Sequence, residues 1–103
     1  MITALVRFTL PTPVTREEAK RLFESTAPNY LGLPGLVRKY YLRSRDGTVA
    51  GGVYLWETLE AAEGAYGEAW RNVVKEKYGA VPSVDYFDTP VIVDNIANTI
   101  EAD

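Results

Sequence analysis

LVRKYYLRSRDGTVAGGVYLW, residues 36–56, reads as two β-strands around a tight turn. Leu36 to Arg43 and Thr48 to Trp56 are rich in β-branched and aromatic residues. Between them lies Ser44-Arg45-Asp46-Gly47, whose Asp-Gly pair supplies the backbone conformation a hairpin needs. The two strands are therefore expected to pair antiparallel. Gly51-Gly52 weakens the second strand, and such a pair marks a bulge or a place where another backbone or a ligand comes close. Both faces of the hairpin carry large side chains, with Leu36, Tyr40 and Leu42 against Val37 and Tyr41, and Val53 and Leu55 against Tyr54 and Trp56.

Upstream, Ile2, Ala4, Val6, Phe8 and Leu10 alternate with Thr3, Leu5, Arg7 and Thr9, a period of two that predicts a strand. Pro11 and Pro13 end it. Thr15-Arg16-Glu17-Glu18 then has the form of a capping box, in which Thr and Glu each satisfy an unpaired amide, so a helix follows and runs to about Pro28. Asn29 to Gly35 is a loop with three large apolar residues, expected to pack down. Downstream, Leu59, Ala62, Tyr66, Trp70 and Val73 share one stripe of a second helix from about Thr58 to Tyr78, closed by Gly79. Val84 to Asp88 and Val91 to Asp94 form a last extended stretch. Pro90 interrupts it and implies an edge or a crossing onto another sheet. Ile96 to Asp103 has no clear period.

Strand, helix, strand, strand, helix, strand is the ferredoxin-like βαββαβ arrangement of the α+β class, an antiparallel sheet with two helices on one face. The other face would be left apolar in water, so a homodimer that packs sheet on sheet is expected.

The chain has 103 residues, 47% of them hydrophobic, enough for one compact domain over residues 1–103. Cysteine and histidine are absent, which removes disulfides, thiolate and imidazole metal sites, and every triad with imidazole as base. Eleven basic and 14 acidic residues are interspersed, for a net charge of −3, so no basic stripe invites nucleic acid. Met1 to Arg7 has neither a cationic lead nor a long apolar segment, and no membrane span is expected; the chain reads as soluble and cytoplasmic. No metal-carboxylate cluster, phosphate-binding glycine loop or dinucleotide motif is present, so no metal and no cofactor is implied. Asp85 and Asp88 are three apart in a strand and point to opposite faces.

Tyr66 and Trp70, four apart on the inner stripe, face the sheet that carries Tyr40, Tyr54 and Trp56. This composition suits a flat aromatic ligand, or simply fills core or a dimer interior. Glu63 falls about 60° from the centre of the stripe, where a partly buried carboxylate would make a general base and a solvated one would favour the helix N-terminus. Arg38, central among apolar neighbours, would anchor a phenolate or carboxylate, or bridge to Asp85 or Asp88. Asn29 and Tyr30 either close a pocket mouth, with Gly32 and Gly35 permitting movement, or cap and cover the first helix.

Four runs, APNYLGLPGLVRKYYLRS from Ala27, DGTVAGGVYLWET from Asp46, EAAEGAYGEAWRNVV from Glu60 and YGAVPSVDYFDTPVIVDN from Tyr78, cover most of the chain. Together they resemble the YdhR-type mono-oxygenase family of the dimeric α+β barrel superfamily, alongside the antibiotic biosynthesis mono-oxygenases. The resemblance implies a homodimer whose sheets close into a barrel, with a pocket in each subunit between sheet and helices. It also implies cofactor-independent oxygenation of a small aromatic or polyketide-like substrate. In such chemistry the substrate itself reduces O₂, and the protein deprotonates, desolvates and holds the anion. Glu63 and Arg38 are the expected catalytic pair, with Tyr30, Tyr40, Tyr54, Trp56, Tyr66 and Trp70 as pocket walls. A non-enzymatic binding or sensing protein, or an isomerase, would use the same pocket.

Overall fold

The computed structural model describes residues 1–103. Its elements are β1 (Ile2–Thr9), α1 (Arg16–Thr26), a 3-10 turn at Ala27–Asn29, β2 (Leu36–Arg43), β3 (Val49–Trp56), α2 (Leu59–Ala65), α3 (Glu68–Tyr78), β4 (Ser83–Asp88), β5 (Val91–Asp94) and β6 (Thr99–Ala102). The first four strands form an antiparallel sheet in the order β2-β3-β1-β4, the ferredoxin-like arrangement, while β5 and β6 pair only with each other. No helix is long and apolar enough to cross a membrane.

Local chemistry explains the boundaries. Thr15 accepts from the Glu18 amide and Glu18 accepts from the Thr15 amide, so both ends of the capping box are closed at the start of α1. In the β2–β3 turn, one oxygen of Asp46 accepts from the Ser44 hydroxyl, the Thr48 amide and the Thr48 hydroxyl, at 2.7–3.0 Å. These bonds to its charged form hold the carboxyl down at about 2. Gly47 then takes a φ of +77°, as the turn requires.

At Gly51-Gly52 the close-approach reading holds and the bulge reading does not. A Cβ on Gly51 would lie 1.9 Å from the Val6 carbonyl oxygen of β1. The irregularity falls instead in β2. Leu36 pairs with Trp56, Arg38 with Leu55 and Lys39 with Tyr54, so Val37 is one residue too many and the alternation of faces resets there.

Under the helices lie Ala4, Val6, Phe8, Ala50, Tyr54 and Trp56 from the sheet, packed against Ala62, Tyr66 and Val74. Tyr30 and Leu33 of the 29–35 loop pack on this core as expected, whereas Leu31 is exposed. Gly35 brings the loop onto α2, where a Cβ would stand 2.7 Å from that of Ala61. On the opposite face Leu5, Val53 and Leu55 are half-buried, and Tyr40, Leu42 and Phe87 are exposed. This is the uncovered apolar surface that the sequence leads one to expect.

Two expectations are corrected. The second helix is not continuous from Thr58 to Tyr78, because Tyr66 leaves helical geometry (φ −104°, ψ 35°) and Gly67 is extended before α3 begins. The break shifts the helical phase of α3, so Trp70, Val74 and Tyr78 turn inward while Val73 is half exposed; Leu59, at the start of α2, is exposed as well. The tail is not structureless: Thr99–Ala102 folds back on β5 as a hairpin. Pro90 does mark the point where the chain leaves the main sheet for the second one.

Candidate functional site

The reset at Val37 decides which side chains of β2 face the helices. Lys39, Tyr41 and Arg43 pair across from Tyr54, Gly52 and Ala50 and form the inner row. The ammonium nitrogen of Lys39 lies 3.5 Å from the ring centre of Tyr30, 3.7 Å from that of Tyr41 and 4.5 Å from that of Tyr54. Gly52 makes the space, since a Cβ there would sit 3.2 Å from the Tyr54 ring and 3.4 Å from Cε of Lys39. The ion pairs of the molecule are Met1 with Asp103 and Arg7 with Asp85, so Lys39 has no carboxylate partner. The ring faces favour the ammonium, while burial without a counter-charge pulls its pKa down to about 7.

Around this amine the walls are aromatic. Tyr30 stands edge-on to Tyr54 at 5.8 Å, and its hydroxyl accepts from the indole N–H of Trp70 at 3.2 Å. Tyr41 stacks on Phe23 of α1 at 4.8 Å and shares a 2.7 Å hydrogen bond with the Thr26 hydroxyl. Burial raises the phenols of Tyr54 and Tyr41, and pushes that of Tyr78 up to about 12. The amine of Lys39 is thus the group in this hollow that exchanges a proton near neutrality. The enclosed space is about 40 Å³, bounded also by Thr26, Trp70 and Val74. On the far side of the Phe23–Tyr41 pair, an open groove of about 650 Å³ runs between α1 and β2.

Behind the hollow, the indole N–H of Trp56 donates to the Tyr66 hydroxyl at 2.9 Å, with both side chains buried. Tyr66 meets Trp70 edge-on at 4.8 Å, so the aromatic cluster is continuous from core to hollow.

Solved structures share this fold. The mono-oxygenase from ActVA-Orf6 of Streptomyces coelicolor, in complex with nanaomycin D, superposes with a TM-score of 0.67 at 20% identity, over 85% of this chain and 86% of that one. SnoaB of Streptomyces nogalater, a cofactor-independent oxygenase, gives 0.62 at 22% identity over 85% and 91%. A Deinococcus radiodurans protein classed with the antibiotic biosynthesis mono-oxygenases gives 0.65 at 11% identity over 91% and 97%. The fold is that of the antibiotic biosynthesis mono-oxygenases. No family model and no curated protein matches the chain.

On this mono-oxygenase fold the residues singled out from sequence part company. Tyr30, Tyr54 and Trp70 gather at the hollow, while Tyr66 and Trp56 form the hydrogen-bonded core behind it. Tyr40 and Arg38 lie on the opposite sheet face, because an alternation counted from Leu36 is reversed at Val37. Arg38 donates to the Tyr40 hydroxyl at 3.3 Å and does not bridge to Asp85 or Asp88; Arg7 takes Asp85 at 3.6 Å. Glu63 is exposed rather than partly buried, and its charge is felt by the Tyr86 phenol. Asn29 sits in the 3-10 turn, exposed. Lys39 was missed. Its signal was its parity with Tyr41 when β2 is counted backwards from the Asp46-Gly47 turn.

Proposed function

We propose that the protein is a cofactor-independent mono-oxygenase of small aromatic or polyketide-like phenols, working as a homodimer. The observation that carries this reading is the Lys39 amine, half-neutral at pH 7 and enclosed by Tyr30, Tyr41 and Tyr54. As a neutral amine it takes the proton of the phenol, and as ammonium it then holds the phenolate in a site shielded from water. The phenolate passes an electron to O₂ and the carbon radical recombines with the reduced oxygen. Loss of water leaves a quinone with one oxygen atom of O₂ in the product and the other in the water. The likeness to SnoaB and to the ActVA-Orf6 mono-oxygenase supports this chemistry.

A hollow of about 40 Å³ is smaller than the roughly 150 Å³ that admits benzene. A ring therefore enters by parting the single Tyr30–Trp70 hydrogen bond and moving the Lys39 side chain. Tyr30 is placed for that, in a loop where Gly32 and Gly35 hold φ of +73° and +83°. The homodimer follows from the exposed apolar face of the sheet, and Val91, Val93 and Ile100 of the β5–β6 hairpin add to it.

The test is oxygen uptake by chelator-treated protein across a panel of dihydroxynaphthalenes. Lys39→Met is expected to lower turnover by about 10²-fold or more with the fold intact by circular dichroism, while Glu63→Gln retains it. Binding of the panel without uptake would replace this reading by a non-enzymatic binder or sensor.

A further inference from the structure

Outside the Phe23–Tyr41 pair, the groove between α1 and β2 is lined by Arg16, Lys20, Arg43 and Arg45 above apolar Ala19 and Ala27, with Glu24 as its single acid. None of these four cations has a carboxylate within 4.0 Å, in a chain whose net charge is −3. Unpaired cations gathered on one groove of an acidic protein create a local field for an anion. Arg43 is the fixed member. Its Nε donates to the Val14 carbonyl at 2.8 Å and one terminal nitrogen donates to the Arg45 carbonyl at 3.3 Å, which leaves the other terminal nitrogen, Nη2, without a protein acceptor. Gly47 keeps that nitrogen's place open, since a Cβ there would lie 2.9 Å from it. A guanidinium held by two carbonyls with a free donor is preorganised for a carboxylate.

The groove and the hollow are two sides of one wall, because Phe23 and Tyr41 line both. Lys39, Tyr41 and Arg43 stand in one row of β2, with Lys39 and Arg43 about 13 Å apart along the strand. We infer that the groove is the acid subsite of an elongated aromatic ligand. The carboxylate meets Arg43, with Lys20 and Arg45 nearby, and the ring system lies against the groove side of the Phe23–Tyr41 stack. Arg43 is then a specificity-determining residue that selects acid-bearing aromatics over neutral ones. The inference concerns the groove and is read by binding alone.

Quenching of tryptophan fluorescence, with Trp70 beside the hollow, tests it with anthraquinone-2-carboxylate and its neutral 2-carboxamide. The carboxylate is expected to bind at least tenfold more tightly at low salt, with the margin shrinking as salt is raised. Arg43→Gln should abolish the margin and leave carboxamide affinity unchanged, and Arg43→Lys should restore part of it. Should Arg43→Gln fail to fold, the double variant Lys20→Gln, Arg45→Gln must lose most of the salt-dependent part. Equal affinities in the unaltered protein, a margin that survives these substitutions, or no binding of either probe at millimolar concentration would overturn the inference. Absence of oxygen uptake in the presence of a clear carboxylate margin would sink the oxygenase reading and leave this one standing.

Discussion

Lys39 and Tyr30 meet face-on, the ammonium 3.5 Å above the centre of the ring, with no carboxylate nearby to share the charge. The folded amine titrates at about 7 and the unfolded one at its ordinary 10.5. Between those values the unfolded chain keeps a proton that the folded chain has released. Stability should therefore rise with pH from about 7 to about 10.5, with no contribution to the slope on either side. Lys39→Met should flatten that rise and be the more stable form below pH 7. Urea unfolding at pH 6, 8 and 10 measures it; parallel pH profiles for the two proteins would refute it.

The Trp56–Tyr66 hydrogen bond lies in the core, where Trp56 is 1% exposed. Tyr66→Phe removes the acceptor and strands a buried indole N–H, at a cost of about 1–3 kcal/mol. For a domain of this size, each kcal/mol lowers Tm by roughly 4–8 °C. Trp56→Phe combined with Tyr66→Phe should cost less than the two single changes added together, because neither partner is then left unpaired. Additive losses in calorimetry would show that the bond contributes nothing specific.

Two glycine-to-alanine changes should act in opposite directions. At Gly51 the new methyl would collide with the Val6 carbonyl, which belongs to the backbone and cannot yield without parting β1 from β3. A loss of about 3 kcal/mol or more is expected, or failure to accumulate as folded protein. Gly64 lies within α2 with nothing near its missing Cβ, so Gly64→Ala should stabilise by about 0.5–1 kcal/mol. Thermal melts of both variants decide the matter together.

Sedimentation should report twice the 11.5 kDa chain mass at micromolar concentration. Val53 lies on the helix-free face, so Val53→Glu should yield monomer by burying a charge at the contact. A monomeric unaltered protein would contradict the pairing of sheets.

Most of the architecture was legible because the strands of the main sheet and α1 carry their own local signals: the alternation of β1, the capping box at Thr15 and the Asp46-Gly47 turn. The break at Tyr66-Gly67 was not, since Gly67 is one isolated glycine inside a helical pattern and only packing shows that the helix ends there. The β5–β6 pairing was hidden by a weak period in the tail. Near the hollow, Trp70 on α3 and Tyr54 on β3 stand out in the sequence by their spacing, whereas Tyr41 and Phe23 do not. The amine was not legible, because the face of a strand residue depends on counting, and a bulge has no letter of its own.

Val37 has a practical consequence. The turn at Asp46-Gly47 pins β2 from one end and the Leu36–Trp56 pair pins it from the other, and the strand is one residue longer than the interval between them. Val37 is the slack, an expansion joint in the sheet. A lineage that lost this codon should keep its ammonium where it is, whereas one that lost a codon between Lys39 and the turn would rotate the amine out and empty the aromatic box.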